Sequence, residues 1–351
     1  MIFSIIVPVC NGEKYIEDCI KSALEQEAFD YQGEGDPFEI IVVENGSRDG
    51  TAGICDELAR KDKRVRVLHK GRIGLFAARQ AGIKEARGEW ILSLDSDDEL
   101  SENALKVLSE EIASLDRQKT RTDLIIFDAA EMETGRPLFG RSFSSSVVYS
   151  GSDKKVIIDR FCTDDSLNSM WTKCVRRSIA GFENTGIYLN YGEDLYQTAE
   201  YLDRAEGIYY LDRVLYRYRK DAVSLSSSYS EVYLDNEKIT WSMMDKLKDK
   251  WEKGEMDEMI DRRKSLTCTI ALTKLIQSSL SMREKKYKLK KLLEDEFYRE
   301  YSIKPLPLWA PEESVSVRKL QLAENPEAAI LKNAWVNGVK RWIKERIRNG
   351  N

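Results

Sequence analysis

The sequence predicts an α/β fold in which a mostly parallel sheet is flanked by helices and followed by an α-helical C-terminal region. Two observations support this prediction. Short apolar runs alternate with helical patterns four times within the first hundred residues, which is typical of a parallel sheet covered on both faces. From about residue 229 onward the pattern has a helical period and dense charge, so we expect helices there.

The four apolar runs are rich in branched and aromatic side chains, as buried strands are. They cover residues 2–9, 38–43, 65–68 and 90–94. Between them, apolar residues recur at helical spacing after Asn11, after Thr51 and from Gly74 to Ala86. Asn11 can cap the first of these helices. We predict a polar, glycine-bearing loop at residues 27–37.

The elements after residue 100 are less regular. A helical pattern from Ala104 to Leu115 precedes a predicted strand at Asp123–Asp128. Residues 131–155 are mixed and loop-like. A further helix opens near Gly192, and Ile208–Arg219 is strand-like, with alternating Tyr and Arg in its second half.

Composition and charge exclude several classes of protein. The 351 residues are 33% charged and 42% hydrophobic, as in folded globular proteins. A net charge of −5 gives no chain-wide basic field for nucleic acid. We find neither a signal-peptide pattern nor an apolar run near the roughly 18 residues of a membrane span. Six cysteines without a CxxC pair and one histidine argue against zinc and histidine-based sites, so we expect a cytoplasmic protein.

The strand that begins at Trp90 runs directly into Asp95-Ser-Asp97-Asp98-Glu99. Carboxylates this close repel one another, and a cation would offset that repulsion. Mg²⁺ and Mn²⁺ bind carboxylate oxygens together with the phosphate oxygens of a nucleotide. Ligands of open α/β sheets bind beyond the carboxyl ends of the strands, where this segment would lie. An acidic turn that caps the next helix is the alternative.

Five motifs follow one another in order within residues 1–226. They begin at Ser4 (SIIVPVCN), Ile41 (IVVENGS), Gly74 (GLFAARQAG), Asp95 (DSDD) and Gly192 (GEDL). Each is weak alone, but five in this order are a strong signal. Together they make this part of the chain resemble a family-2 glycosyltransferase with the Rossmann-like GT-A fold, of the kind that builds bacterial polysaccharides. The resemblance implies a nucleotide-binding half at about residues 1–100 and an acceptor half at about residues 101–226.

The resemblance also implies a nucleotide and donor site. Its residues would be Pro8, Val9, Asn11, Glu44, Asn45, Arg79, Asp95 and Ser96. Asn45 stands where the family usually has an Asp that recognises the base, commonly uracil, and Arg79 matches an arginine near the nucleotide. A solvated helix arginine is the alternative for Arg79. Asp95 and Asp97 match the DxD motif, the first near the ribose and Asp97 on the metal.

For the transfer itself, Asp194 matches the general base of the family, with Glu193 beside it. An inverting transfer needs a carboxylate to take the proton of the acceptor hydroxyl as that oxygen attacks the anomeric carbon. It also needs positive charge on the departing diphosphate, supplied by a metal and by basic side chains. The implied cofactor is Mn²⁺ or Mg²⁺. Capping of a helix N-terminus is the alternative role for Asp194.

Three basic residues are candidates for binding the diphosphate or the acceptor. Arg217 and Arg219, followed by Ser224-Leu-Ser226, resemble a late segment of the family that closes over the diphosphate. Alternation along a strand with one wet face explains both arginines almost as well. Lys173 stands where the family often has Lys or Arg, and it would belong to the acceptor side.

Two departures from the family pattern bear on the substrates. The amide oxygen of Asn45 can still accept from a uracil N–H, but the amide adds a donor group that the usual Asp lacks. The QxxRW motif of processive synthases is absent, so we expect a single addition of a hexosyl or N-acetylhexosaminyl group. The expected donor is a UDP-sugar, and the expected acceptor is a saccharide or lipid-linked saccharide of a cell-surface polysaccharide.

Residues 227–351 are predicted as a helical region that ends in a basic amphipathic helix at residues 331–351. Its apolar residues, including Trp335 and Trp342, tend to one side, and six cations accompany a single acid, Glu345. Such a helix suits an anionic membrane, which would bring the protein to the inner face of the plasma membrane. Docking of the Trp face on the protein itself, or on a second subunit to form a homodimer, is the alternative.

Two other functions fit parts of the pattern. A nucleotidyltransferase also joins an α/β sheet to acid-bound metal, but the Glu193-Asp194 motif and the late Tyr/Arg segment argue against it. A non-catalytic sugar-nucleotide binding protein is suggested by Asn45. The presence of Asp95, Asp97 and Asp194 argues against that second alternative.

Overall fold

The computed structural model describes residues 1–27, 29–31, 33–140, 143–145, 147–181, 189–220, 229–251 and 256–349, with side chains up to residue 340. The chain forms two compact units. The first comprises residues 1–161 and 165–222, and the second comprises residues 162–164 and 223–351. Ser224-Leu-Ser226 lies outside the described residues.

One sheet runs through the first unit. Its strands are β1 (Phe3–Val9), β2 (Phe38–Asn45), β3 (Val65–Lys70), β4 (Trp90–Ser93), β5 (Glu99–Leu100), β6 (Leu124–Glu131), β7 (Val148–Ser150), β8 (Lys173–Arg176) and β9 (Gly207–Tyr218). Their order in the sheet is β3-β2-β1-β4-β8-β6-β9-β5, and β7 pairs with β9.

The part of the sheet built from the first hundred residues is parallel, as the alternating pattern predicts. β1 pairs in parallel with β2 and β4, and β2 pairs in parallel with β3. The connections are α1 (Ile16–Leu24), α2 (Thr51–Lys61) and α3 (Leu75–Glu85). Every residue of β1 and β2 is buried, because a parallel sheet carries helices on its faces. The predicted fold class, a sheet flanked by helices, is confirmed.

The rest of the sheet mixes directions. β8 lies antiparallel between β4 and β6, and β9 is parallel to β6 but antiparallel to β5 and β7. The helices of this half are α4 (Ala104–Arg117), α5 (Lys155–Thr163), α6 (Arg177–Ala180) and α7 (Glu193–Arg204). The register between β6 and β9 shifts on both sides of Asp128. Residues 131–155 are predicted as loop but contain the short strand β7.

The predicted cap of α1 is wrong. The helix begins at Ile16, and no side chain caps its N-terminus. Asn11 instead has a φ of 56°, and its Oδ1 accepts a hydrogen bond from the backbone N–H of Arg48 at 2.8 Å. Its own N–H donates to Ser47 Oγ at 2.9 Å. A turn separates Asn11 from the helix. Through its hydrogen bonds to Ser47 and Arg48, Asn11 instead connects the loop after β1 to the loop after β2.

The second unit is helical, as predicted. Its helices are α8 (Tyr233–Trp251), α9 (Asp257–Gln277), α10 (Met282–Glu294), α11 (Glu296–Tyr301), α12 (Glu312–Gln321) and α13 (Pro326–Asn349). They enclose a core that includes Leu272, Leu289, Tyr298 and Ile330. Ser281 and Glu284 form a capping box at the start of α10, which satisfies two N–H groups of that helix end. Within the described residues, no helix has the length and apolarity needed to cross a membrane.

Candidate active site

Most of the predicted donor-site residues lie at or just beyond the carboxyl ends of the neighbouring strands β1, β2 and β4. The start of α3 lies against the loop before α7. Gly74, which precedes α3, has a φ of 87°, and a Cβ there would lie 2.8 Å from Oδ1 of Asn190. Glycine is therefore needed both for the backbone conformation and for the close approach. This packing brings Arg79 of α3 to Asp194 at the start of α7.

Arg79 lies between two of the predicted carboxylates. Its Nη1 is 3.1 Å from Oδ1 of Asp194, and its Nη2 is 3.5 Å from Oδ1 of Asp95. The arginine side chain is 1% exposed, whereas each carboxylate is 30% exposed. Its Nε has no hydrogen-bond partner among the described residues. Arg79 is therefore a buried cation that faces two acids, and the alternative of a solvated arginine is wrong.

The acidic segment after β4 is bound by residues at the C-terminal end of β9. Asp98 is 2% exposed, and its Oδ2 accepts from the Tyr216 hydroxyl at 2.7 Å. Its Oδ1 accepts from the backbone N–H of Arg219 at 2.7 Å. The Tyr216 oxygen in turn accepts from the N–H of Asp95 at 3.2 Å. Tyr216 therefore fixes both ends of the Asp95–Asp98 segment.

The carboxylates of this segment are difficult to ionise together. Burial raises the pKa of Asp95 to about 7, and the charges of Asp194 and Asp97 add to that effect against the lowering by Arg79. Burial and the charge of Asp95 raise the pKa of Asp98 to about 8, although the hydrogen bonds from Arg219 and Tyr216 oppose the rise. Burial also raises the pKa of Asp97. A bound cation would favour the ionised form of all three.

These residues fit a site for a divalent cation whose coordination shell is completed by the substrate. Arg219 donates to the backbone carbonyl of Asp97 at 2.9 Å rather than to its carboxylate. Nowhere in the described part of the chain do three His, Cys, Asp or Glu side chains converge as a metal site. Mg²⁺ commonly uses one or two carboxylates together with substrate phosphates and water. Asp97, with Asp95, is suited to a site of that kind.

Asp194 and Glu193 are the first residues of α7, after Gly192 in the left-handed conformation with a φ of 72°. The Oδ2 of Asp194 accepts from the N–H of Met170 at 3.4 Å. Burial, followed by the charge of Asp194, raises the pKa of Glu193 to about 8, while Arg79 lowers it. At neutral pH Glu193 is thus largely protonated and can donate a hydrogen bond.

The two arginines at the end of β9 have different surroundings. Arg219 is 20% exposed, lies over the ring of Tyr15 and pairs with Glu99 at 3.1 Å. Arg217 is 42% exposed and pairs with the other oxygen of Glu99 at 3.0 Å. Arg219 donates to the main chain of the acidic segment, so it lies at the mouth of the site. The ion pair of Arg217 is with Glu99 at the rim of the site.

The loop after β1 packs tightly on the acidic segment. Pro8 and Val9 are the last residues of β1, and both are buried. A Cβ at Gly12 would lie 2.7 Å from Cγ2 of Val9 and 3.5 Å from Oγ of Ser96. Val9 and Ser96, predicted together as donor-binding residues, therefore flank one glycine and come from adjacent strands.

Glu44 and Asn45 end β2 and are 6% and 7% exposed. The Oδ1 of Asn45 accepts from the N–H of Ile73 at 2.8 Å. Oε1 of Glu44 accepts from the N–H of Ser47 at 2.6 Å. Burial raises the pKa of Glu44, but the hydrogen bonds from Ser47 outweigh that effect and leave the pKa below its ordinary value. The Asn45 oxygen thus holds the loop before α3, and one of its lone pairs is already used.

Lys173 binds the main chain of the loop that precedes β8. Its side chain is buried, and its ammonium donates to the backbone carbonyls of Leu167 and Ser169, at 2.7 Å and 2.5 Å. A buried ammonium requires such acceptors. Its position in sequence suggests the acceptor side, whereas its contacts are those of a residue that holds the loop before β8.

Sequence reasoning missed three aromatic residues, Trp171, Tyr216 and Tyr218. Trp171 stacks on Tyr216 with ring centroids 4.5 Å apart, and on Tyr218 at 5.8 Å. The Tyr/Arg alternation of β9 places both tyrosines on one face of the strand. The Tyr/Arg alternation is therefore a signal for Tyr216 and Tyr218 as well as for the two arginines that were predicted from it.

The first third of the chain matches a known protein family. Residues 4–121 match the model of the family described as Glycosyl transferase family 2. The match includes β1 to β4 and the acidic segment, but it ends before Asp194.

Similar proteins extend over more of the chain. The uncharacterized glycosyltransferase EpsJ of Bacillus subtilis is 30% identical over 234 residues, which are 64% of this chain and 62% of EpsJ. Glycosyltransferase GlyG of Streptococcus pneumoniae is 38% identical over 116 residues, which are 33% of this chain and 36% of GlyG. The chain therefore spans less than two thirds of the length of these relatives.

A crystal structure with a similar fold is that of residues 1–349 of TarS from S. aureus, in complex with UDP-GlcNAc. The TM-score is 0.58 and the identity 20%, over 100% of this chain and 93% of that chain. At this level of identity the likeness concerns the fold alone.

Proposed function

We propose that the chain transfers a sugar from a nucleotide-diphosphate donor to a saccharide or lipid-linked saccharide, as a member of glycosyl transferase family 2, whose model matches residues 4–121. UDP-sugar is the proposed donor. The transferred group is a hexosyl or N-acetylhexosaminyl unit, added once per acceptor during synthesis of a cell-surface polysaccharide. The relatives named as glycosyltransferases and the fold shared with a UDP-GlcNAc complex support this proposal.

The observation that carries the proposal is the position of Arg79 between Asp95 and Asp194. In the proposed reaction Asp95 serves the donor side and Asp194 serves the acceptor side. The two carboxylates must therefore both lie close to the sugar that is transferred. One guanidinium within 3.5 Å of both acids keeps them close together without allowing them to touch. A plain helix cap at Asp194 would not require a buried arginine.

We assign Asp194 as the general base. It would take the proton of the acceptor hydroxyl while that oxygen attacks the anomeric carbon from the face opposite the diphosphate, which inverts the configuration. Glu193, protonated at neutral pH because its pKa is raised to about 8, would donate a hydrogen bond beside the base.

On the donor side, Asp97 with Asp95 would hold Mn²⁺ or Mg²⁺. When bound, such a metal stabilises the negative charge of the departing diphosphate. Arg219 would add positive charge at the mouth of the site, where its guanidinium already contacts the acidic segment. Asn45 and Glu44, at the end of β2, would face the base and ribose.

Calorimetric titration of UDP, with and without Mn²⁺, tests the donor site. We expect metal-dependent binding that is lost in Asp97→Ala and kept in Asp212→Ala, a control acid on the exposed part of β9. Binding of another nucleotide but not UDP would assign the base preference to Asn45. Absence of any nucleotide binding would refute the proposed function.

Product analysis separates the reaction classes. A transferase releases nucleoside diphosphate, whereas a nucleotidyltransferase releases pyrophosphate. We expect UDP in the presence of a UDP-sugar, Mn²⁺ and a saccharide acceptor. Pyrophosphate would replace the proposal with nucleotidyl transfer.

A further inference from the structure

The apolar residues of the C-terminal helix α13 lie on two faces, one buried and one exposed. In its first half Ile330 and Ala334 are each 2% exposed and belong to the core of the second unit. Trp335 is 58% exposed and Val339 is 37% exposed. Large apolar side chains of this kind are rarely left in water without a function when they cluster.

The helix continues beyond the core that it helps to build. The positions that follow Ile330 and Ala334 on the same face, at helical spacing, are Asn337, Arg341 and Glu345. These residues are polar, so the packing stripe ends at Ala334. In the sequence Trp342 follows Trp335 at a spacing of two helical turns, and the backbone is helical to Asn349.

Charge distinguishes this segment from the rest of the molecule. Residues 331–351 contain six Lys or Arg and one Glu, whereas the whole chain has a net charge of −5. Lys332 and Lys340 belong to the exposed part of the helix. A polyanionic surface attracts such a segment, and tryptophan favours the interface between headgroups and acyl chains.

We propose that α13 binds the surface of an anionic lipid bilayer, with Trp335 and Val339 inserted at the level of the headgroups and the lysines on the phosphates. A second copy of the chain is a weaker candidate for the same face. In a two-fold dimer the same patch meets itself, which would bring the cations of one helix against those of the other. This proposal does not depend on the proposed sugar transfer.

Cosedimentation of the full chain with vesicles tests the proposal. We expect binding to vesicles that contain phosphatidylglycerol, little binding to pure phosphatidylcholine, and loss of binding when NaCl rises from about 0.1 M to about 0.5 M. The double variant Lys332→Glu/Lys340→Glu should weaken binding by at least about tenfold. Trp335→Ser should weaken binding several-fold at about 0.1 M NaCl, because the apolar contact of the ring with the headgroup region is lost while the cations remain.

Matched substitutions elsewhere in the same unit distinguish binding through α13 from nonspecific adsorption to vesicles. Lys290→Glu on α10 and Leu308→Ser, at a side chain 97% exposed, should leave vesicle binding unchanged. Circular dichroism melting shows that the variants are folded. Failure to bind anionic vesicles at low salt overturns the proposal, as does equal loss in the control variants. A dimer in sedimentation velocity that Trp335→Ser dissociates, without vesicle binding, would assign the face to a second copy.

Discussion

The guanidinium of Arg79 lies 3.1 Å from the carboxylate of Asp194, although 115 positions separate the two residues in the chain. The pair joins a helix of the parallel half of the sheet to a helix that follows the mixed half. It therefore determines where the proposed base stands relative to the donor-side acids.

Replacement of Arg79 by Met should both weaken the fold and abolish turnover. The change leaves Asp95 and Asp194 facing each other without the cation between them. Since both carboxylates are partly exposed, we expect a loss of about 1–3 kcal/mol in the free energy of unfolding, measured by urea denaturation. The pKa of Asp95 should rise further, because Arg79 now lowers it.

Arg66→Met is the matched control. Arg66 also faces two acids, with Nη1 2.7 Å from Glu39 and Nη2 3.7 Å from Glu85, but these acids are outside the proposed site. It should lower stability while UDP binding and turnover survive. Equal turnover in the two variants would contradict the role given to Arg79.

The metal-free protein should lose stability as pH rises from about 5 to about 8. The pKa values of Asp95, Asp98 and Glu193 are raised in the folded protein to about 7, 8 and 8, above the ordinary values near 4. Between these limits the folded state binds more protons than the unfolded state, so its stability falls with increasing pH. Urea denaturation at several pH values measures the slope.

Saturating Mn²⁺ should flatten that slope, because the metal competes with protons for the same carboxylates. The comparison with and without metal is needed because burial also raises the pKa of Glu237, in the second unit, to about 7. That contribution should not respond to metal. A slope unchanged by Mn²⁺ would argue against a metal at Asp95 and Asp97.

The parallel half of the sheet and its acidic segment could be predicted because their signals are local. Each strand is visible in the sequence as an apolar run, and Asp95, Asp97 and Asp98 come directly after one of these runs. The partners of these acids could not be predicted. The hydroxyl of Tyr216 reaches Asp98 across 118 positions, and this contact depends on the pairing of β5 with β9.

The position of Lys173 illustrates the same limit. Its motif context suggests a cation on the acceptor side, but Leu167 and Ser169 bind its ammonium through their carbonyls. A strand pattern indicates that a residue lies in β8, not which way its side chain turns. Only the path of the preceding loop decides whether the charge faces a substrate or the main chain.

Removal of the Tyr216 hydroxyl should weaken metal binding as well as stability. In Tyr216→Phe, Asp98 loses its 2.7 Å hydrogen bond and the N–H of Asp95 loses its acceptor. We expect a loss of about 1–3 kcal/mol in the free energy of unfolding. We also expect weaker binding of Mn²⁺ with UDP, because the Asp95–Asp98 segment is no longer fixed at both ends.

Tyr210→Phe provides the matched comparison. Its hydroxyl donates to Asp128 at 2.6 Å in a buried pair outside the acidic segment. The stability loss should be similar, but calorimetric binding of Mn²⁺ with UDP should remain at the level of the unmodified protein. Equal effects of both variants on binding would show that Tyr216 acts only through overall stability.

Asp194→Asn should separate binding from chemistry. The amide keeps the size of the carboxylate but cannot take a proton, so we expect turnover to fall by about 10²- to 10⁴-fold while UDP and Mn²⁺ still bind. Glu193→Gln should cost much less, because the glutamic acid is largely protonated near neutral pH and an amide can still donate a hydrogen bond. Turnover rates measured by UDP release give both values. If Glu193→Gln is the more damaging change, the two roles must be exchanged, since only the base needs an ionised carboxylate.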